Sequence, residues 1–154
     1  MTVNISFNSR GFAEVERKLS AIEARSTNFI PVLTQARVEL NTANAANFGL
    51  GGLPSGGWAP LSPSYGAWKL AHFPGAPPMV RTGRLLASLS GGTAESIFSM
   101  TPKKMQVGTR VEYAKFHQYG TSKMPARRVV FEPPLFAKKL GGSAARWMTE
   151  GEIL

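Results

Sequence analysis

The sequence predicts an α+β fold in which a long N-terminal helical segment, kinked or split near Pro31, packs on a small antiparallel sheet. Apolar residues recur every three or four positions from Phe12 to Leu40, which is the period of an amphipathic helix. Short alternating segments separated by turn residues follow after position 94 and are typical of a hairpin. Glycine and proline crowd residues 49–80, which predicts an extended arm between these two parts.

The N-terminal stripe predicts two helices, at about residues 10–27 and 30–47. Pro31 lacks a backbone N–H and crowds the preceding turn, so the helix should kink or break there. The apolar register continues across the proline, and we therefore expect both halves to face the same core. We interpret the stripe as core packing rather than as a coiled-coil seam. Residues 2–7 alternate apolar and polar side chains, which predicts a short strand before the first helix.

The arm at residues 49–80 has room for one short helix. Residues 62–71 fit it, with Ser62 as the cap and Pro63 at the first helical position. We expect the aromatic residues of the arm to be buried against a neighbouring molecule or against the chain's own domain. These residues are Trp58, Tyr65, Trp68 and Phe73.

Residues 81–136 predict short helices and a small sheet. Thr82 should cap a helix that reaches Leu89, and residues 95–100 and 104–109 should pair as a hairpin. Residues 113–119 predict a helix that ends at Gly120, because glycine readily adopts the left-handed conformation. Residues 128–132 predict a strand, and residues 137–154 a helical tail. At 154 residues, the whole chain, 1–154, is expected to form one domain.

Composition excludes several classes of protein. The chain has no cysteine, so disulfides and thiolate chemistry are absent and synthesis in a reducing cytosol is expected. All nine acidic residues are glutamate, so the usual aspartate ligands of Mg²⁺ and Ca²⁺ are missing. No apolar run approaches the about 18–20 residues of a membrane span, and the N-terminus does not resemble a secretory signal. We therefore predict no membrane association.

Catalytic and cofactor motifs are also missing. Glu112 and Ser122 lie five residues on either side of His117, a spacing that does not specify a hydrolytic triad. His72 is the only other histidine, and two distant histidines do not make a zinc site. Neither a P-loop nor a dinucleotide-binding turn occurs. We predict no catalytic residue, no cofactor and no metal, and we keep a hydrolase that uses His117 and a glutamate as the weaker alternative.

Residues 113–128 concentrate aromatics, one histidine, a glycine stop, a proline and two arginines, which favours a surface that docks onto another protein. We expect Tyr113→Ala or Arg127→Ala to leave the monomer folded but to stop assembly. The candidate interface residues lie in this block, in the turn at positions 81–84 and in the arm. They are Trp58, Trp68, Arg81, Arg84, Tyr113, His117, Gln118, Tyr119, Met124, Arg127 and Arg128.

The net charge of +9 leaves two interpretations of the basic residues open. Three doublets lie near turns or strand ends and are either simply solvated or arranged on one face towards DNA phosphates or an acidic protein. They are Lys103-Lys104, Arg127-Arg128 and Lys138-Lys139. Because no recognition-helix or RNA-stacking motif occurs, a sequence-nonspecific DNA-binding module is the alternative function.

Five short pieces of the sequence occur in a fixed order: Trp58-x-Pro-Leu61, Met79-x-Arg-Thr-Gly-Arg-Leu85, Val107-Gly-Thr109, Tyr113-Ala-x-x-His-Gln-x-Gly-Thr121 and Met124-Pro-Ala-Arg127. In this order they resemble the phage virion morphogenesis family, small tail-completion and neck proteins of tailed, Mu-like bacteriophages. The resemblance covers about residues 10–136. The glycine-rich stretch at 49–57 departs from it. The matching positions are Arg81, Thr82, Gly83, Tyr113, His117, Gln118, Gly120, Thr121, Pro125 and Arg127.

The resemblance implies a structural protein of the virion's head–tail junction that acts without catalysis. Related neck proteins assemble as rings, commonly sixfold, around the DNA channel. It therefore implies a homo-oligomeric ring, a hexamer, at the neck or tail end, assembled in the host cytoplasm. The implied partners are the head connector or adaptor and the tail terminator or tail tube, with nonspecific contact to DNA in the channel. A ring subunit needs two complementary surfaces, and the arm and residues 113–128 would supply them.

Overall fold

The computed structural model describes the backbone of residues 10–153 and the side chains of residues 11–153, so the strand predicted for residues 2–7 lies outside the described residues. The fold is α+β, as predicted, with one two-stranded antiparallel sheet in the described part of the chain. The helices and strands are α1 (Arg10–Ser26), α2 (Ile30–Gly49), α3 (Pro63–His72), α4 (Arg84–Ser90), β1 (Ser96–Thr101), β2 (Lys104–Thr109), α5 (Ala114–Tyr119) and α6 (Phe136–Glu150).

The N-terminal helical segment is split at residues 27–29, which confirms the predicted break. Pro31 lies in the first turn of α2, where its missing N–H removes no helical hydrogen bond. The Asn28 side chain accepts a hydrogen bond from the backbone N–H of Ile30 at 3.1 Å, which satisfies one of the free donors at the start of α2.

The apolar stripe of α1 does not face the core, contrary to the expectation. Every residue from 11 to 20 is exposed, and Phe12 and Leu19 are 74% and 60% exposed. Within the described residues, α1 is attached only towards its end, where Arg25 donates to the carbonyls of Met148 and Thr149 at the end of α6. Because the chain breaks at residues 27–29, a register shared along the sequence does not place the two helices on the same surface.

The core lies where α2, α4 and the segments after β2 meet. Phe48, Leu85, Leu89, Val111 and Val129 are buried together there. α4 packs between α2 and the hairpin formed by β1 and β2. In the hairpin, which has the predicted position, Ser96 pairs with Thr109 and Thr101 with Lys104.

The arm folds back onto its own domain at one end and is open at the other. Trp58 packs edge-on against Phe48, with ring centroids 5.3 Å apart. In α3, which begins at Pro63 as predicted, Tyr65 and Trp68 stack on each other at 5.6 Å and remain 40% exposed. The aromatic side chains of the arm are therefore only partly covered within one chain.

Lys69 fixes the base of this arm. Its side chain is buried, and Nζ donates to the carbonyls of Pro77 and Pro78. Burial lowers the pKa of Lys69, because the charged form loses its hydration.

Two further predictions are wrong. Residues 128–132 do not form a strand, because the Gln118 side chain takes the hydrogen bonds that a neighbouring strand would make. Its Oε1 accepts from the backbone N–H groups of Val129 and Val130, at 3.0 Å each. Its Nε2 donates to the Val130 carbonyl at 2.9 Å. α4 begins after Gly83, whose φ of 77° is in the left-handed region, so Thr82 is not the cap.

Candidate functional site

A groove of about 720 Å³ lies between the arm, the start of α4, α5 and the segment that follows α5. This volume is in the range of pockets that bind ligands. Its walls combine apolar and cationic side chains. The apolar and aromatic members are Pro60, Leu61, Tyr65, Pro78, Met79, Leu85, Tyr113, Met124 and Pro125, and the cationic ones are Arg81, Arg84, Lys123 and Arg127.

The groove brings together residues from sequence pieces that lie far apart in the chain. Seven of the ten pattern positions line it, although they are spread from position 81 to position 127. The other three shape its walls. Gln118 holds residues 129–130, Thr121 pairs with Met124 through two backbone hydrogen bonds, and Gly120, at φ 74°, lets the chain turn closely against Ala126.

Arg127 joins the two sides of the groove. Its side chain is buried, with the residue only 5% exposed, and Nε donates to the Ala59 carbonyl at 2.8 Å and Nη2 to the Pro60 carbonyl at 2.7 Å. Its backbone N–H donates to the His117 carbonyl at 2.6 Å. The guanidinium therefore binds the arm of its own chain, and the expectation that Arg127→Ala leaves the monomer intact is replaced by an expected loss of stability.

The charges around the groove are unbalanced. No glutamate lines it, whereas four cations do. Arg84 is paired with Glu95, with Nε 2.8 Å from Oε2, and the pKa of Glu95 is lowered by this hydrogen bond. Arg81 and Lys123 form no ion pair with any of the residues described here and are exposed. The groove therefore favours an anionic occupant.

His117 lies in the wall with one ring nitrogen unused. Its ring packs edge-on against Tyr113 at 5.9 Å, and Nδ1 is buried without a hydrogen-bond partner. Burial, and to a lesser extent the Arg127 guanidinium, lowers the pKa of His117. Both effects favour the uncharged form of the ring, and the buried Nδ1 is out of reach of an occupant of the groove. Between residues 10 and 153, no three metal-binding side chains are close enough to hold an ion.

Six of the predicted interface residues line the groove: Arg81, Arg84, Tyr113, His117, Met124 and Arg127. The other five do not. The indole of Trp58 donates to the Arg128 carbonyl at 2.9 Å, while the Arg128 side chain is exposed. Gln118 acts within the chain, whereas Trp68 and Tyr119 are exposed.

The predicted interface residues do not include several residues that line the groove, among them Leu61, Met79 and Lys123. Leu61 and Met79 stand inside the pattern pieces, so their place in the pattern was the available signal. No local signal marks Lys123. Its importance depends on Arg81 lying in the same groove, 42 positions earlier in the chain.

The three basic doublets are not equivalent. Lys103-Lys104 lies at the hairpin turn beside the start of α2, because the Phe29 N–H donates to the Pro102 carbonyl. Lys138-Lys139 lies in α6. Arg127 lines the groove with its guanidinium already engaged, and Arg128 is exposed next to it. The doublets are therefore distributed along the length of α2. Contact with DNA stays a prediction.

Residues 11–140 match the phage virion morphogenesis family. The chain belongs to this family. The match includes all five sequence pieces and every residue that lines the groove. Comparisons with curated proteins and with solved structures gave no match. In the part of the chain that the structure describes, no helix is both long and apolar enough to cross a bilayer.

Proposed function

We propose that this chain is a structural component of the phage head–tail junction, a tail-completion or neck protein. It acts by forming a homo-oligomeric ring, a hexamer, and by docking the tail to the head, without catalysis. Membership of the phage virion morphogenesis family supports a role in assembly of the virion. The geometry supports assembly through surfaces that a single chain leaves uncovered.

The observation that carries the proposal is the exposed first half of α1. Its apolar residues Phe12, Val15 and Leu19 form a stripe that no element of residues 11–153 covers. Exposed apolar surface of this kind marks protein interfaces. A helical segment of about ten residues without packing is marginally stable in water, because short helices gain little from backbone hydrogen bonds alone. A neighbouring subunit that covers the stripe would stabilise the helix.

A second exposed surface supports a head-to-tail contact. Tyr65 and Trp68 stack on α3 and are each 40% exposed. Tyr119, at the end of α5, is a separate exposed aromatic side chain. Aromatic side chains of this kind are enriched at the centre of protein interfaces. Since head-to-tail assembly uses two different surfaces of the same chain, α1 and this aromatic surface meet its requirement.

Light scattering and electron microscopy of the purified protein test the proposal. We expect rings from the native chain, and monomers from the double variant F12S/L19S with an unchanged urea midpoint, because neither residue is buried in the monomer. The matched control E16S/R17S alters exposed polar positions on the same helix and should still form rings. Native protein that stays monomeric at all concentrations would contradict the proposal.

The DNA-binding alternative is supported by the net charge of +9. It predicts gel shifts with duplex DNA that weaken steeply between low and moderate salt, because phosphate contacts release counterions. Ring formation without DNA, and no shift at low salt, would favour the structural role.

A further inference from the structure

Two features of opposite charge lie at opposite ends of α2. The groove is at the C-terminal end, where Asn47 Nδ2 donates to the Arg128 carbonyl at 2.9 Å. The end of α6 is at the N-terminal end, where Trp147 Nε1 donates to the Asn28 carbonyl at 2.8 Å. A helix of 20 residues is about 30 Å long. The two features therefore lie at well-separated ends of one chain.

The chemistry of the groove specifies a carboxylate-bearing peptide. Arg81 and Lys123 are its unpaired cations among the described residues, and Leu61, Met79 and Met124 give it apolar walls. The His117 ring forms part of the wall, with its Nδ1 buried. Duplex DNA fits less well, because phosphate binding relies on many cations and two of the four here are engaged within the chain.

The acidic segment, residues 150–153, has the matching chemistry. Gly151 ends α6 with a φ of 79°, and the chain leaves the helix there. Glu150 and Glu152 are exposed, and Ile153 is 41% exposed. Glu150 has only a 3.6 Å ion pair with Arg146 on the exposed face of α6, and such pairs are weak. No lysine or arginine occurs from position 147 to position 153, and the neighbouring Arg25 guanidinium donates to the carbonyls of Met148 and Thr149 rather than to a glutamate.

We propose that the acidic segment of one copy occupies the groove of the next copy. The proposal rests on the ring assembly proposed above and names one of its contacts. The Glu150 and Glu152 carboxylates pair with Arg81 and Lys123, and Ile153 lies against the apolar walls. Because donor and acceptor lie at opposite ends of α2, the contact is head-to-tail, which closes into a ring when the rotation between copies allows it.

Disulfide trapping tests this contact directly, because the native chain has no cysteine. The double variant K123C/E152C should give a ladder of covalent multimers on oxidation, since each copy links to two neighbours. Each single variant should give none beyond a background dimer. The matched control K123C/S99C places the second thiol at an exposed position of β1 and should give no ladder.

A charge exchange gives the second arm of the test. E152R should weaken assembly by about tenfold, the range of a close interfacial charge pair, and K123E in the same chain should restore it. Rings from K123C/E152C without a ladder above the control would overturn this inference and leave the proposed ring intact. Native protein that never forms rings would overturn both. In assembled particles, a disulfide from position 123 to a different virion protein would overturn the assignment to a second copy.

Discussion

Replacement of Arg127 by alanine should destabilise the monomer itself. The guanidinium donates two hydrogen bonds, of 2.8 and 2.7 Å, to the Ala59 and Pro60 carbonyls. Hydrogen bonds from a charged group contribute about 1.5–3 kcal/mol each, which gives about 3–6 kcal/mol for the pair. Desolvation of the buried cation offsets part of this, so we expect a net loss of about 2–4 kcal/mol. For a chain of this size, that lowers the melting temperature by about 5–15 °C.

Urea unfolding, followed by tryptophan fluorescence, measures the effect. The neighbouring variant R128A is the matched control: its side chain is exposed and its carbonyl is kept, so its free energy of unfolding should change by less than about 0.5 kcal/mol. R127K should fall between the two, because an ammonium group cannot reproduce the two-pronged geometry. If R127A unfolds at the same urea concentration as R128A, the guanidinium does not hold the arm and the reasoning is refuted.

Three further predictions concern the walls of the groove. The pKa of His117 is lowered in the folded state, so the free energy of unfolding should be highest above about pH 6.5. It should fall progressively at lower pH, because the unfolded chain takes up the proton first. Urea midpoints measured at several pH values should show this slope, and H117F should reduce it whereas H72F should not. Gly120→Ala should cost at least about 1 kcal/mol, since φ is 74° and a Cβ would lie 2.8 Å from the Ala126 nitrogen; the helical control Gly142→Ala, which has open space, should raise the melting temperature. Tyr113→Ala should abolish rings in electron micrographs while the monomer's circular dichroism stays native, and intact rings would contradict it.

The spacing of apolar residues and the positions of proline and glycine were sufficient to predict most of the helices and the hairpin. The break before Pro31, the start of α3 at Pro63 and the end of α5 at Gly120 follow from local backbone restrictions that act wherever these residues occur. The hairpin follows from alternation on both sides of a turn. These features depend on a few consecutive residues, so one sequence contains the information.

Other features depend on contacts between distant parts of the chain. The alternation at 128–132 is typical of a strand, but residue types do not reveal that Gln118 takes the backbone positions a neighbouring strand would occupy. The stripe of α1 shows which face is apolar and not what covers it. Likewise, Arg127 stood out as a cation in a stiff segment, whereas its partners at Ala59 and Pro60 lie 68 and 67 positions earlier.

The hydrogen bonds between Arg127 and the arm determine when, during folding, the groove can form. The wall of the groove at Pro60 and Leu61 is in place only after the Arg127 guanidinium has bound the Ala59 and Pro60 carbonyls, which are synthesised much earlier. Under the proposed contact between copies, a chain whose arm has not docked on Arg127 would lack this wall and would not be joined to the ring.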